Sequence, residues 1–277
     1  MKHVAVMTTV RNDTLFLTRW IAYYGGIFGP ENLFVIFDGQ DQSPPPEAAA
    51  INVIALPNIP RTVIIGERYR ARASSHFAHA LMASYDIVIG MDVDEFIVVD
   101  PALNTDLLAY LSSKDLPSSV SALGLDVIQH IEHEAELDLT KGFLAQRHYA
   151  LVSARYTKPN IVTKKVVWGA GHHRIKRRNF HIDPNLFMFH FGSVDLKFSA
   201  ARNGDRDATS VGWTDHIARR YALFDLMKKS TPVDGDSFFA KARGMLTWQR
   251  PFYAWNKPQM IKGDPVVKIP ERFHNSV

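Results

Sequence analysis

The chain has 277 residues, 46% of them hydrophobic and 22% charged, which is ordinary for a globular protein with room for one large or two small domains. It has no cysteine, which excludes disulfides and thiolate metal sites and fits a reducing, cytoplasmic compartment. A net charge of +4 points to an anionic partner of unspecified kind. No window reaches the roughly 18 uninterrupted apolar residues of a membrane span, and the apolar run before Arg11 is too short for a signal peptide.

In chain order, "HVAVMTTV" (3–10) predicts a buried first strand rich in β-branched residues. Asp13 or Thr14 then caps a helix to about Phe28, with Leu17, Trp20, Ile21, Tyr24 and Ile27 on one face. "NLFVIFDG" is a second buried strand ending at Asp38, and the prolines of "GQDQSPPPEAAA" mark a loop. "INVIAL" reads as a third strand, 68–84 as a helix and "DIVIGMDVDEF" as the next strand, with a helix and a strand following through Ile128. This alternation predicts an α/β fold with a mainly parallel sheet and helices on both faces.

Beyond Ile128 the pattern loosens into the polar "HIEHEAELDL" and a strongly basic stretch of strands and turns, "ARYTKPNIVTKKVVWGAGHHRIKRRNFHI". Helical periodicity returns at 213–229 and 237–248, before a proline-rich, aromatic tail from Arg250. The expected organisation is one continuous domain in two halves (1–128 and 129–249) with a tail (250–277). The tail segment "WQRPFYAWNKPQ" suits either closure of a binding cleft or peripheral contact with a membrane.

The stretch "IVIGMDVDEFIVVD" (87–100) places Asp92, Asp94 and Glu95 inside an apolar run, where their charges need compensation, most simply by a divalent cation. Asp-x-Asp occurs three times, at Asp92/Asp94, Asp205/Asp207 and Asp234/Asp236, and the latter two sit among turn residues. On one strand, Asp92 and Asp94 would share a face. At the carboxyl end of a parallel sheet they would form a hard-oxygen site for Mg²⁺ or Mn²⁺ shared with a phosphate.

"VAVMTTVRND", "RWIAYYGGIFGPENLFVIFDGQDQ" and "YDIVIGMDVDEFIVVD", in this order, resemble the glycosyltransferase family 2-like group with a GT-A fold. The match covers about the first 100 residues, and "GHHR" and "FMFHFGS" extend it to about 195. One departure is "DGQDQ", where the family more often has Asn-x-Ser-x-Asp.

The resemblance implies transfer of a sugar from a nucleotide diphosphate sugar, with UDP as the expected nucleotide, to a hydroxyl of a glycan or other acceptor, with inversion. It implies that Asp94 holds Mn²⁺ or Mg²⁺, that Asp92 helps to orient it, and that His190 completes the metal shell. Nucleotide contacts fall to Thr9, Arg11, Asn12 and Asp38, with Asp41 a further candidate. Independently of the resemblance, Arg68 and Arg72 lie one helical turn apart and share a face, with Arg72 the candidate to meet phosphate. Polysaccharide or glycoconjugate synthesis is the implied setting.

His172 and His173 follow two glycines, so their loop can approach a ligand, but adjacent residues rarely both ligate one metal. "HIEHE" lacks the His-Glu-x-x-His zinc spacing. Inversion needs a general base, for which Asp126 is the first candidate, with Glu132 and Glu134 in the adjacent loop and Asp215 at a helix start. Basic and aromatic residues do not interleave as a nucleic-acid platform requires. A Mg²⁺-dependent phosphohydrolase and a non-catalytic sugar-binding protein are the alternatives, and the position of the acidic block near residue 92, followed by Glu-Phe, counts against the former. Oligomeric state is not legible.

Overall fold

Three strands carry the first half of the molecule: β1 (Val4–Val10) pairs in parallel with β2 (Leu33–Asp38) on one side and with β4 (Ile87–Asp92) on the other. β3 (Asn52–Leu56) adds a parallel edge strand to β2. The computed structural model describes residues 1–59, 61–204, 213–248 and 256–277. Side chains alternate across a strand, and β1 shows the consequence. Its Val4, Val6 and Val10 enter the main core with Phe16, Leu17, Trp20, Ile21 and Tyr24 of helix α1 (Thr14–Phe28). Its Ala5 and Met7 face the opposite side, toward Ala71, Ala78 and Leu81 of helix α2 (Val63–Leu81). Helices therefore cover both faces, as the alternation predicts. α2 starts ahead of the expected Arg68.

The acidic block departs from expectation. It is not one strand: β4 ends at Asp92, Val93 and Asp94 form a turn, and β5 (Glu95–Val99) leaves to pair antiparallel with β9 (Ile182–Ser193). Strand alternation therefore does not put Asp92 and Asp94 on one face. The turn instead leads from the parallel part of the sheet into a mixed part.

There β6 (Ser119–Ile128), buried along its whole length, runs parallel to β9 and antiparallel to β7 (Tyr149–Val152) and β8 (Ile161–Val162). β8 joins the two parts by pairing with β4 as well. β11 (Val266–Lys268) and β10 (Val233–Asp234) extend the far edge, giving eleven strands among the described residues.

Helices α3 (Leu107–Ser112), α4 (Leu196–Gly204), α5 (Trp213–Lys229) and α6 (Gly235–Thr247) complete the fold. α5 falls on the expected segment, while α4 and the long β9 do not follow from the sequence pattern. "FMFHF" in β9 is buried on both faces, so it lacks the alternation that marks a strand. Asp205, Asp207 and residues 249–255 of the tail lie outside the described residues, as does the side chain of Asp215. Among the described residues no helix is long and apolar enough to cross a membrane.

Candidate active site

The carboxyl ends of β1, β2 and β4 lie side by side, so the sheet itself gathers the first group of expected residues. Thr9 pairs in register with Asp92. Arg11, just past β1, clamps Asp41 through two hydrogen bonds of 2.5 and 2.9 Å and donates another to the Asp38 carbonyl at 3.2 Å. Asn12 adopts a left-handed backbone (φ 50) and donates its backbone N–H to Gln42 at 2.7 Å. "DGQDQ" is thus tied to the end of β1, and the Arg11 bond holds the exposed Asp41 carboxyl below its usual range.

The charges of the acidic block meet an internal cation that the sequence does not reveal. Lys158, 1% exposed, places its Nζ 2.6 Å from Asp92 Oδ2 and 2.5 Å from Glu95 Oε1. Asn160 Nδ2 donates to the Gly90 carbonyl at 2.8 Å, fixing the same segment against β4. Burial opposes the Lys158 charge, but Asp92 and Glu95 outweigh it and raise the ammonium pKa. Burial pushes the Glu95 carboxyl up, against the pull of Lys158. Enclosure also works against the Asp92 charge, yet Lys158, and after it His172, hold that carboxyl well below its usual range. Asp92 remains 44% exposed, so it alone of this trio faces solvent.

Asp94 belongs to a second group. His190 on β9 stands opposite Glu95 on β5 and Asp126 on β6. Its Nδ1 lies 2.7 Å from Asp126 Oδ1 and its Nε2 3.7 Å from Asp94 Oδ2. The Tyr156 ring stacks on the imidazole at 3.7 Å between centroids. A carboxylate oxygen accepts, so in this bond Nδ1 carries the proton given to Asp126, and Nε2 is the nitrogen that faces Asp94.

Tyr156 and Lys158 reach these positions because their segment crosses β6 directly over Gly124. A Cβ on Gly124 would collide with the backbone of Ser153, Tyr156 and Thr157, while its N–H donates to Thr157 Oγ1 at 3.0 Å.

The other expected residues fall elsewhere. Arg72 is exposed on α2, and it is Arg70, half-buried and paired with Glu67, whose charge reaches His172. Asp126 is 3% exposed and faces His190 rather than an open cleft. Glu134 accepts from the backbone N–H of His130 at 2.8 Å and of His148 at 2.6 Å, so its carboxylate ties the loop together. Glu132 is exposed and paired with Lys228 at 2.7 Å. Sequence reasoning missed Lys158, Tyr156 and Arg70; for Lys158 and Tyr156 the signal was the basic character of the segment containing "RYTKPN", and for Arg70 it was the phase of α2. Among the described residues, no three His, Asp or Glu side chains converge closely enough to cage a metal ion by themselves.

No family model matches the chain, and no curated protein matches it. Among solved structures, a mannosyltransferase from Pyrobaculum calidifontis in complex with GDP-Man and Mn²⁺ is 11% identical, covering 87% of this chain and 74% of its own, with a TM-score of 0.38. A mannose-1-phosphate geranyltransferase from Thermus thermophilus is 12% identical over 98% of this chain and 76% of its own, with a TM-score of 0.33. A mycobacterial protein is 21% identical over 45% of this chain, with a TM-score of 0.29, and the chain spans 41% of that protein's length. At these scores the likenesses leave function to be read from the side chains.

Proposed function

We propose that the protein transfers a sugar from a nucleotide diphosphate sugar to an acceptor hydroxyl, with inversion and with Mn²⁺ or Mg²⁺ as cofactor. The observation that carries this reading is His190 set between Asp94 and Asp126, with Asp94 in the turn just past Asp92, where parallel strand β4 ends. Ligands of open α/β sheets bind at that end.

The residues fit a hard divalent ion. Asp94 supplies oxygen and His190 Nε2 supplies nitrogen, while Asp126 fixes the imidazole tautomer, as carboxylates behind metal-bound histidines do. A protein set of two or three ligands suits an ion that shares its shell with substrate phosphates. Asp92 presents one carboxylate face to the cleft while Lys158 holds the other. When bound, the cation would neutralise charge developing on the leaving diphosphate. Thr9, Arg11, Asn12 and Asp38 line the neighbouring strand ends, where the nucleoside would lie. In this reading Asp126 is a positioning residue rather than the base that accepts the hydroxyl proton.

Calorimetry with UDP and GDP in EDTA and in Mn²⁺ tests the reading. A tenfold or greater gain with Mn²⁺, about 1.4 kcal/mol, is expected for at least one nucleotide. Equal affinity in both buffers would overturn the metal assignment.

A further inference from the structure

His172 lies in the short turn Ala170–His172, near enough to Asp92 for the two side chains to act on each other electrostatically. The position is costly in two ways. Gly171 (φ 59) and His172 (φ 56) are both left-handed, a conformation uncommon for a residue with a side chain. The imidazole is 7% exposed, packed edge-on against Trp168 at 5.1 Å, and neither ring nitrogen has a hydrogen-bond partner. Buried polar groups are almost always paired, and leaving one unpaired is costly. Its neighbour differs: His173 Nδ1 lies 2.8 Å from the Arg155 carbonyl oxygen. Of the two adjacent histidines, His172 is therefore the one whose buried ring nitrogens lack a partner.

The charged groups around the ring indicate what kind of ligand. Lys158 and Arg70 set positive charge against it, and Asp92 is the anion that acts on it. Glu67, also close to Asp92, is occupied by its pair with Arg70 and by the Gly171 backbone N–H. An imidazole carries at least one N–H in either protonation state. Such a donor beside Lys158 and Arg70, in a turn packed against α2, suits phosphate oxygens.

We propose that His172 is a binding residue for the diphosphate of the donor, its imidazole N–H donating to a phosphate oxygen on the Asp92 side of the cleft. This inference rests on the reading of the cleft as a nucleotide-sugar site. It also accounts for the strained turn, which aims the ring inward, and for a buried imidazole kept without a protein partner.

The test is calorimetry in Mn²⁺ with UDP, GDP and inorganic pyrophosphate, on wild type and on two variants. His172→Phe keeps the ring and removes both nitrogens, and His172→Asn suits the left-handed backbone with a side chain too short to reach. Each should lose tenfold or more in affinity for pyrophosphate and for whichever nucleotide binds better. Unliganded His172→Phe should melt no lower than wild type, because the orphaned nitrogens are gone. Wild-type affinity for pyrophosphate in either folded variant would overturn the role of His172 alone. A wild type that binds none of the three ligands would overturn the donor-site reading and this inference with it.

Discussion

Asp126 and His190 stand opposite each other on the parallel strands β6 and β9, with Oδ1 2.7 Å from Nδ1 and both side chains nearly closed to solvent. The contact sets which imidazole nitrogen is available to a metal. An asparagine in place of Asp126 offers an N–H as readily as an oxygen, so it no longer dictates the tautomer. Asp126→Asn should therefore weaken Mn²⁺ binding by about 10- to 100-fold, measured by direct Mn²⁺ titration without nucleotide. A variant that binds Mn²⁺ like wild type but transfers sugar about a hundredfold more slowly would restore Asp126 to the role of base.

Lys158 is the compensating charge of the acidic block, and its removal leaves Glu95 buried without a counter-ion. Breaking a buried pair from one side costs about 3–5 kcal/mol. Lys158→Met should lower stability by that order in denaturant unfolding at pH 8. The loss should shrink toward pH 5, since Glu95, already raised by burial, then takes up a proton and no longer needs the ammonium. A loss that does not change with pH would mean that Glu95 is not the charge left exposed.

These two contacts show where sequence reading succeeds and stops. The parallel strands declare themselves as short apolar runs bounded by turns, and the acidic block stands out because three carboxylates interrupt such a run. Val93 hides the turn, since its apolar side chain continues the strand pattern through Asp94. Lys158 is invisible for a different reason: it lies 66 positions from Asp92, in a segment whose other cations are mostly solvated. The partnership of Asp126 with His190 exists only through the register of two strands far apart in the chain, which no local pattern encodes. The choice between Arg70 and Arg72 turns on helix phase, which an expected start at Arg68 cannot fix.

Arg272 anchors the C-terminal segment, with Nε 2.7 Å and Nη2 3.0 Å from the two Asp100 oxygens and Nη1 2.7 Å from Asp236. Burial works against the Asp100 charge, but the Arg272 bonds outweigh it and hold the carboxyl below its usual range. A depressed carboxylate contributes stability above its unfolded value of 3.8 and loses it as pH falls through the folded value. Arg272→Met should cost about 1–2 kcal/mol at pH 7, after discounting for partial exposure. Melting curves of variant and wild type should begin to converge only below pH 3.8 and meet once the pH is under the lowered folded value. Curves that stay equally separated at acid pH would show that the loss comes from packing on Phe273 rather than from the ion pair.

Gly124 ties both halves of the site to one backbone crossing. With no room for a Cβ against Ser153, Tyr156 and Thr157, Gly124→Ala must push away the segment that stacks Tyr156 on His190 and sets Lys158 beside Asp92. Overpacking of this kind costs about 1–3 kcal/mol. Here it should also weaken binding of Mn²⁺ and of nucleoside diphosphate together, because the two contact groups move as one segment. Gly66→Ala is the control: a Cβ there meets nothing within 4 Å in helix α2, and the exchange should be neutral or stabilising by about 0.5–1 kcal/mol. The comparison separates site geometry from stability. If Gly124→Ala melts lower than wild type but binds Mn²⁺ and nucleotide equally well, then the crossing over β6 supports the fold without positioning His190 or Asp92.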